Sequence, residues 1–332
     1  MGVDLKDIIA KNEIELAKLN GKAISVDALN ALYQFLAIIR QRDGELLKDS
    51  TGRTTSHLSG LFYRTINLLE LGIRPVYIYD GRPPQEKIDT LRQRQEIKDS
   101  AKKKAIRAKV EGREKDYVKF SQQVLHFSDE MLKESKELLR LMGVPFIDAP
   151  SEAEAQASHM CSMDPRVYAV ASQDYDSLLF GAPVLVRNVT ITGRRKMPGK
   201  NVYREVVPES IVLAEALAAL GIGREGLVEI GLLIGTDYNE GIKGIGPKSA
   251  LEIVKADRFD EYGIEERLKD LFLKPDVSDN FSFSFKLPDE DALYSFLCDE
   301  REFSRLRVER AMDRLKKGIE GVTRQETLDQ WF

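Results

Sequence analysis

The feature that most constrains this chain is a recurring unit: a short apolar run that ends on an acid and leads into an amphipathic, helix-length segment. Residues 22–26 read as a strand that ends in Asp27, and residues 28–40 then take helical spacing. Residues 53–71 place Leu58, Leu61, Phe62, Ile66 and Leu69 on one helical stripe. The strand Arg74–Tyr79 follows and ends in Asp80. Residues 167–172 form a third such strand and run through Gln173 into Asp174. Further helices are expected over 128–142 and from Pro150-Ser151, with a short strand at 144–147 between them. Residues 184–207 read as antiparallel strands around a basic turn. In 281–287, Phe281, Phe283 and Phe285 alternate with Ser282 and Ser284, which predicts a period-two strand. The βαβ rhythm predicts an α/β fold with a mostly parallel central sheet and helices on both faces.

Composition narrows the chemistry. Only Cys161 and Cys298 occur, far apart and without a CxxC, so disulfide scaffolds and cysteine zinc sites are excluded. Three histidines (His57, His126, His159) leave little for histidine catalysis. No apolar run approaches the ~18 residues of a membrane span, and the opening MGVDLKDIIA does not read as a secretory signal. Carboxylates are abundant: Asp and Glu number 54 against 50 Lys and Arg, for a net charge of −4. Such a chain is suited to hard cations held by oxygen. The charge is unevenly spread. Between Arg92 and Lys119 eleven bases stand against five acids, in a segment rich in helix formers and poor in large apolar residues. A local basic element of this kind can bind phosphates although the protein is acidic overall. A solvated, salt-bridged helix explains the same run equally well.

Asp27, Asp80 and Asp174 (with Asp176 two residues on) end three strands, and ligands of an open α/β sheet bind beyond the carboxyl ends of its strands. One such acid reads first as a helix cap; three weaken that reading. Glu152 and Glu154 lie in Ser151-Glu-Ala-Glu154, which by itself reads as a capping box. Asp237 follows an apolar helix ending near Ile234, where a carboxylate opposes the helix dipole and favours a nearby cation. Seven acids in one crevice could not all ionise unaided, and divalent cations resolve that conflict. Setting those seven charges aside turns the remaining balance positive.

Gly241-Ile-Lys243-Gly244-Ile-Gly246-Pro-Lys248 has the pattern of a helix-hairpin-helix turn. Its glycines let backbone N–H groups approach a phosphate at a helix N-terminus, and Lys243 and Lys248 add charge. Together with MGV, SVDALNALYQFL, TTSHLSGLFYRT, YIYDGRPPQEK, APSEAEAQ, ASQDYDSLLFG, GTDYNEGIKGIGPKSA and QETLDQWF, this makes the whole chain resemble the flap structure-specific endonucleases of the XPG-type 5′-nuclease family.

The resemblance implies a PIN-like 5′-nuclease fold with a helical arch insertion, and roles for particular residues. Asp27, Asp80, Glu152, Glu154, Asp174, Asp176 and Asp237 would hold two Mg²⁺ ions. Lys87 and Arg94 would grip the scissile phosphate. Tyr33 would stack on a base at the cleavage point. Arg40, Thr55 and Arg64 lie where the family receives a short 3′ flap, and Gly2 would sit near the site. Lys243, Gly244, Gly246 and Lys248 would hold duplex backbone, with a K⁺ ion at the hairpin carbonyls. All seven acids match the family pattern. The implied organisation is a nuclease core over 1–324: an N-terminal region 1–82, a basic arch and cap 83–127, an internal region 128–257 with the hairpin near 238–256, and a C-terminal region 258–324.

The segment 325–332 reads as a clamp-binding tail. Gln325, Leu328, Trp331 and Phe332 fit Q-x-x-L-x-x-aromatic-aromatic. In a 3₁₀ turn Leu328 and Trp331 would point together, and an aromatic pair on a tail suggests a partner's pocket. This is the interaction box for the sliding clamp PCNA. In eukaryotic relatives a basic tail often follows the box; ending at Phe332 is expected of an archaeal, cytoplasmic protein, and a eukaryotic one would be nuclear. The expected activity is Mg²⁺-dependent cleavage of branched DNA at the base of a 5′ flap by a monomer, in Okazaki-fragment maturation and long-patch base excision repair, with 5′→3′ exonuclease activity. Nucleases for bubbles, gaps or junctions, a PIN-type RNase and a non-catalytic clamp-bound scaffold are the alternatives.

Overall fold

A computed structural model describes the chain except residues 1, 42–43, 114–115, 117–119, 121–126, 191–192, 197–202 and 330–332. Backbone alone is described at 89, 91, 93–95, 97–99, 102, 105, 109, 193–196, 203–205 and 325–329. The strands are β1 (Asn12–Glu13), β2 (Ala23–Asp27), β3 (Arg74–Tyr79), β4 (Phe146–Asp148), β5 (Val167–Ala171), β6 (Val184–Arg187), β7 (Gly193–Lys196), β8 (Tyr203–Val206) and β9 (Glu209–Val212). The main sheet has seven strands in the order β1-β9-β6-β5-β2-β3-β4. From β6 to β4 all neighbours are parallel, and β9 and β1 add an antiparallel edge. Strands β7 and β8 form a separate antiparallel hairpin. Because β3 and β4 lie on one side of β2 while β5 and β6 lie on the other, the chain reverses direction across the sheet at β2. That reversal opens a crevice at the carboxyl ends of β2 and β5.

The helices are α1 (Ala28–Ile38), α2 (Ser56–Glu70), α3 (Lys87–Val110), α4 (Asp129–Leu141), α5 (Ala153–Met163), α6 (Asp176–Leu179), α7 (Leu213–Leu220), α8 (Arg224–Ile234), α9 (Pro247–Lys255), α10 (Glu266–Leu273), α11 (Glu290–Tyr294) and α12 (Arg305–Asp329). They cover both faces of the sheet. Alternation along β3 shows the two layers: Tyr77 and Tyr79 join the core built with α1, α2, α4 and α12, while Val76 and Ile78 join the core of α5, α7 and α8. The expected α/β class, parallel sheet and two-sided covering are all present.

Three local expectations are corrected. Residues 281–287 do not form a strand. Phe285 is buried and Phe281 and Phe283 are half-buried, so the period-two burial is real. Their backbone, however, lies against the α4–β4 turn, where Lys286 N–H donates to Gly143 O at 2.9 Å. That turn is tight: a Cβ on Gly143, at φ +71°, would fall 1.9 Å from Lys286 O. The capping box at Ser151 does not form either. Glu152 is the N-cap of α5 without a side-chain cap bond, and the Glu154 carboxylate turns instead to serine hydroxyls. Finally, α12 continues as α-helix through Asp329, so no 3₁₀ turn is present at Gln325 and Leu328. Nothing in Thr323–Asp329 (TRQETLD) breaks a helix. Trp331 and Phe332 lie outside the described residues, as does much of the second half of the segment 83–127 expected to form the arch and cap.

Candidate active site

The crevice collects acids from five stretches of chain. Asp27 ends β2 and is 8% exposed; it also caps α1, accepting from Asn30 N–H at 3.0 Å. Asp80, just past β3, faces solvent and accepts from Ala153 N–H at 2.7 Å, at the positive N-terminus of α5. The cap reading therefore holds for Asp27, which caps the helix after its strand, but not for Asp80, which bonds the N-terminus of α5 rather than the helix that follows β3; both still border the crevice. Glu152 and Glu154 come from the first turn of α5. Glu154 accepts from Ser172 Oγ at 2.7 Å and Ser177 Oγ at 3.3 Å. Asp174 and Asp176 follow β5. Asp174 accepts from Asn30 Nδ2 at 2.9 Å, and Asp176, 5% exposed, accepts from Val3 N–H at 2.6 Å. Asp237 follows α8, whose chain turns away at Gly235, where φ is +103°.

Lys87, the first residue of α3, reaches into this group. Its Nζ lies 2.5 Å from Glu152 and 3.4 Å from Asp237. Burial alone would lower its pKa, but Glu152 and the surrounding acids raise it, so the ammonium is kept charged. The carboxylates move the other way. Burial, then the neighbouring Asp80 and Asp174, push Asp27 up to about 8. Burial, followed by repulsion from Asp237 and Asp174, pushes Asp176 up to about 7. Glu154 is raised well above its ordinary value by burial and by Asp176. Crowding by the surrounding protein raises Glu152, against the pull of Lys87, and raises Asp80 too, although part of Asp80 reaches solvent. All seven acids thus act on one another across one crevice.

In this conformation no three of these side chains gather closely enough, among the described residues, to ligate one ion. The donor set nonetheless fits hard divalent cations. It consists of oxygen ligands, largely shielded from water, whose mutual repulsion leaves a negative potential that a cation relieves.

Sequence reasoning missed the groups that hold these acids: Asn30, Ser172, Ser177 and the N–H groups of Val3 and Ala153. Hydroxyls and amides next to a motif leave no distinctive spacing. Gly2 does sit at the site; a Cβ there would meet Asp174 Cβ and Asp176 Oδ1, each at 2.9 Å.

The other expected residues surround the crevice or lie farther off. Tyr33 is half-buried, its ring 6.0 Å from that of Phe127, just before α4. Arg94 lies on α3, with only its backbone described. Arg40 donates to Leu36 O and Gly44 O. Thr55 is buried at the start of α2, and Arg64 is half-buried farther along that helix. Ser56 ties these segments together, accepting from Leu47 N–H and donating to Ile39 O. In the hairpin Lys243 and Lys248 are exposed, Gly244 takes φ +90°, and Gly246 is the N-cap of α9. Ile242 and Ile245 anchor the turn to the core.

Two family models match the stretches that supply the crevice. The XPG N-terminal domain covers residues 1–101 and the XPG I-region covers residues 143–237. These define the chain as an XPG-type nuclease. Flap endonuclease 1 of Pyrococcus horikoshii is 52% identical over 344 residues, spanning 100% of this chain and 98% of that protein. The solved flap endonuclease-1 from Methanococcus jannaschii superposes with a TM-score of 0.78 at 40% identity, covering 96% of this chain and 99% of that one. The catalytic core of Rad2 in complex with a DNA substrate gives a TM-score of 0.69 at 26% identity, covering 95% and 100%. Within the XPG nucleases, the chain belongs to the flap endonuclease family.

Proposed function

We propose that this protein is a structure-specific endonuclease that hydrolyses branched DNA at the base of a 5′ flap and leaves a 5′-phosphate and a 3′-hydroxyl. One observation carries this reading: seven carboxylates from separate stretches of chain share one crevice, at the carboxyl ends of parallel strands, with Lys87 inserted among them. Asp27, Asp80, Glu152, Glu154, Asp174, Asp176 and Asp237 would hold two Mg²⁺ ions, which supply Lewis-acid stabilisation of phosphate charge and an acidified attacking water. Lys87 offers a fixed ammonium to a non-bridging phosphate oxygen and neutralises charge that develops there. Arg94, on the same helix, assists it. Tyr33 presents an aromatic face to a base at the junction.

Specificity is for shape. The hairpin at Lys243–Lys248 grips duplex phosphates through backbone N–H groups, Lys243, Gly244, Gly246 and Lys248, without reading bases; a K⁺ ion at its carbonyls belongs to the same reading. Arg40, Thr55 and Arg64 receive a short 3′ flap. The basic arch, 83–127, covers the flap strand. Gln325, Leu328, Trp331 and Phe332 dock a monomeric enzyme on a PCNA clamp, which places the activity in Okazaki-fragment maturation and long-patch base excision repair, with 5′→3′ exonuclease action alongside. Among the described residues no helix is long and apolar enough to cross a membrane.

The test is cleavage of a labelled double-flap DNA, with a one-nucleotide 3′ flap, in Mg²⁺ and then in EDTA. A metal-dependent cut at the flap base is expected. Asp176→Ala should abolish cutting while retaining the fold and DNA binding. Full activity in that variant would refute the metal assignment, and uncut but bound wild-type substrate would turn the reading towards a scaffold.

A further inference from the structure

One residue, Asn30, bonds two of the crevice acids at once, one through its backbone and one through its side chain. Asn30 lies three residues after Asp27 in the first turn of α1. Its backbone N–H donates to Asp27 Oδ1 at 3.0 Å, and its Nδ2 donates to Asp174 Oδ2 at 2.9 Å. Asp27 ends β2 and Asp174 lies three residues beyond β5, and these two strands pair at the topological reversal of the sheet.

The amide of Asn30 is itself held. Gln34, one helical turn on and so on the same face of α1, donates from Nε2 to Asn30 Oδ1. Gln34 Oε1 in turn accepts from Thr190 Oγ1 at 3.2 Å. Thr190, 6% exposed, lies beyond β6 and just before the β7–β8 hairpin. The chain therefore runs Thr190 → Gln34 → Asn30 → Asp174. Its direction is fixed by chemistry. A carboxylate can only accept, so Asn30 must turn its NH₂ to Asp174 and its carbonyl to Gln34. Gln34 then presents its own carbonyl outward, where a hydroxyl donor is needed and Thr190 supplies one. The relay lines a small cavity of mixed character, with Asp27, Ser172 and Gln173 on its polar side and Val26, Val186 and Val189 on its apolar side.

We propose that Asn30 is a positioning residue for the metal centre, and that Gln34 and Thr190 set its orientation. This inference rests on the metal-dependent reading above. Groups that hold a ligating carboxylate in place reduce the reorganisation needed when an ion arrives, and losing one typically weakens metal affinity or activity by about 10–100-fold. Only the bond to Asp174 comes from the Asn30 side chain, so replacing that side chain should loosen Asp174 while the backbone N–H keeps its hold on Asp27.

The test uses the full chain without DNA. Mn²⁺ is titrated into wild type, Asn30→Leu, Gln34→Met and Thr190→Val, and free ion is read by electron paramagnetic resonance. Cleavage of the double flap is then followed against Mg²⁺ concentration. For Asn30→Leu we expect Mn²⁺ affinity to fall about tenfold or more, with the Mg²⁺ requirement for cleavage rising in parallel. KM for DNA and binding in EDTA should stay at wild-type values. Gln34→Met should show the same pattern more weakly, since it leaves the Asn30 amide free to turn, and Thr190→Val more weakly still. Asn30→Ser, short but able to donate, should recover part of the loss.

Unchanged Mn²⁺ affinity in a folded Asn30→Leu would overturn the inference. If that variant does not fold, unchanged affinity in Gln34→Met would overturn it, because Gln34 is half-buried and tolerates a thioether. A uniform fall in DNA binding and thermal stability, without a shift in metal dependence, would mark the relay as packing only. Wild type that binds no Mn²⁺ and cuts no flap would remove the parent reading as well.

Discussion

The Lys87 ammonium donates to the Glu152 carboxylate at 2.5 Å, so the foot of the basic helix is anchored inside the acid cluster. Both side chains are well covered, at 14% and 13% exposure, and Asp237 lies 3.4 Å from the same nitrogen. In this state Lys87 does part of the work of a bound cation. Removing one partner of a buried pair costs about 3–5 kcal/mol. Lys87→Met should therefore lower the melting temperature markedly in EDTA and much less in saturating Mg²⁺. Cleavage should fall about 100-fold or more, as when a charge-stabilising donor is lost. Thermal melts with and without Mg²⁺, beside single-turnover cleavage, check both effects. An equal loss of stability in the two conditions would show that Lys87 does not substitute for a cation.

Gly2 makes a sharper geometric demand. Its missing Cβ leaves room for Asp174 and Asp176, and Val3 N–H then reaches Asp176 Oδ1. Gly2→Ala should push Asp176 off that N–H and shift its carboxylate. A displacement of order 1 Å in catalytic geometry can cost about 100-fold. We expect cleavage to fall at least tenfold, while the melting temperature changes by only a degree or two. Wild-type cleavage in this variant would separate the N-terminus from the active site.

How much of this could be read from the sequence depends on the kind of signal. Asp27, Asp80 and Asp174 were visible because a buried strand that stops on a charge is conspicuous, and the parallel sheet follows from strands alternating with helices. Strand Arg74–Tyr79 falls within its expected bounds. The antiparallel edge was not legible, since β1 has two residues and no pattern. Residues 281–287 misled because alternation reports which side chains are buried, not what the backbone bonds to. Ser151 and Glu154 misled because a capping box and a buried acid share the same letters. Only the position of Ser172 and Ser177 across the crevice decides between them.

Far from the crevice, Glu134 ties α4 to α2 and to the loop before α12. It accepts from Arg301 Nη2 at 2.7 Å and lies 3.1 Å from His57 Nε2. Burial alone would raise its pKa, but the bonds from His57 and Arg301 outweigh it and hold the group below its ordinary 4.5. A depressed folded pKa contributes stability above the unfolded value, and that contribution is lost as pH falls through the folded one. Glu134→Leu should thus cost about 3 kcal/mol near neutral pH, leaving buried Arg301 with only Glu300, 3.3 Å away, as a carboxylate partner among the described residues. The gap from wild type should stay level down to about pH 4.5 and close below it. Denaturant unfolding at several pH values measures this, and a gap independent of pH would rule out the charged pair.

Gly244 and Gly246 of the hairpin should separate a conformational role from a contact role. Gly244 has φ +90°, a conformation that L side chains rarely adopt, although a Cβ there would have open space around it. Gly244→Ala should therefore lower stability by about 1 kcal/mol. Gly246 has φ −101° and ψ 176°, extended values open to any residue, and a Cβ there likewise meets nothing within 4 Å. It caps α9, a position where serine serves at least as well. Gly246→Ser should then leave stability unchanged or slightly raised. If the hairpin grips phosphate through its backbone, that side chain stands where the phosphate must approach, and flap DNA should bind about tenfold more weakly, by roughly 1.4 kcal/mol. Denaturant melts and DNA titrations in EDTA, run on both variants, test the pair. Wild-type affinity in Gly246→Ser would mean that the DNA backbone does not come close to this turn.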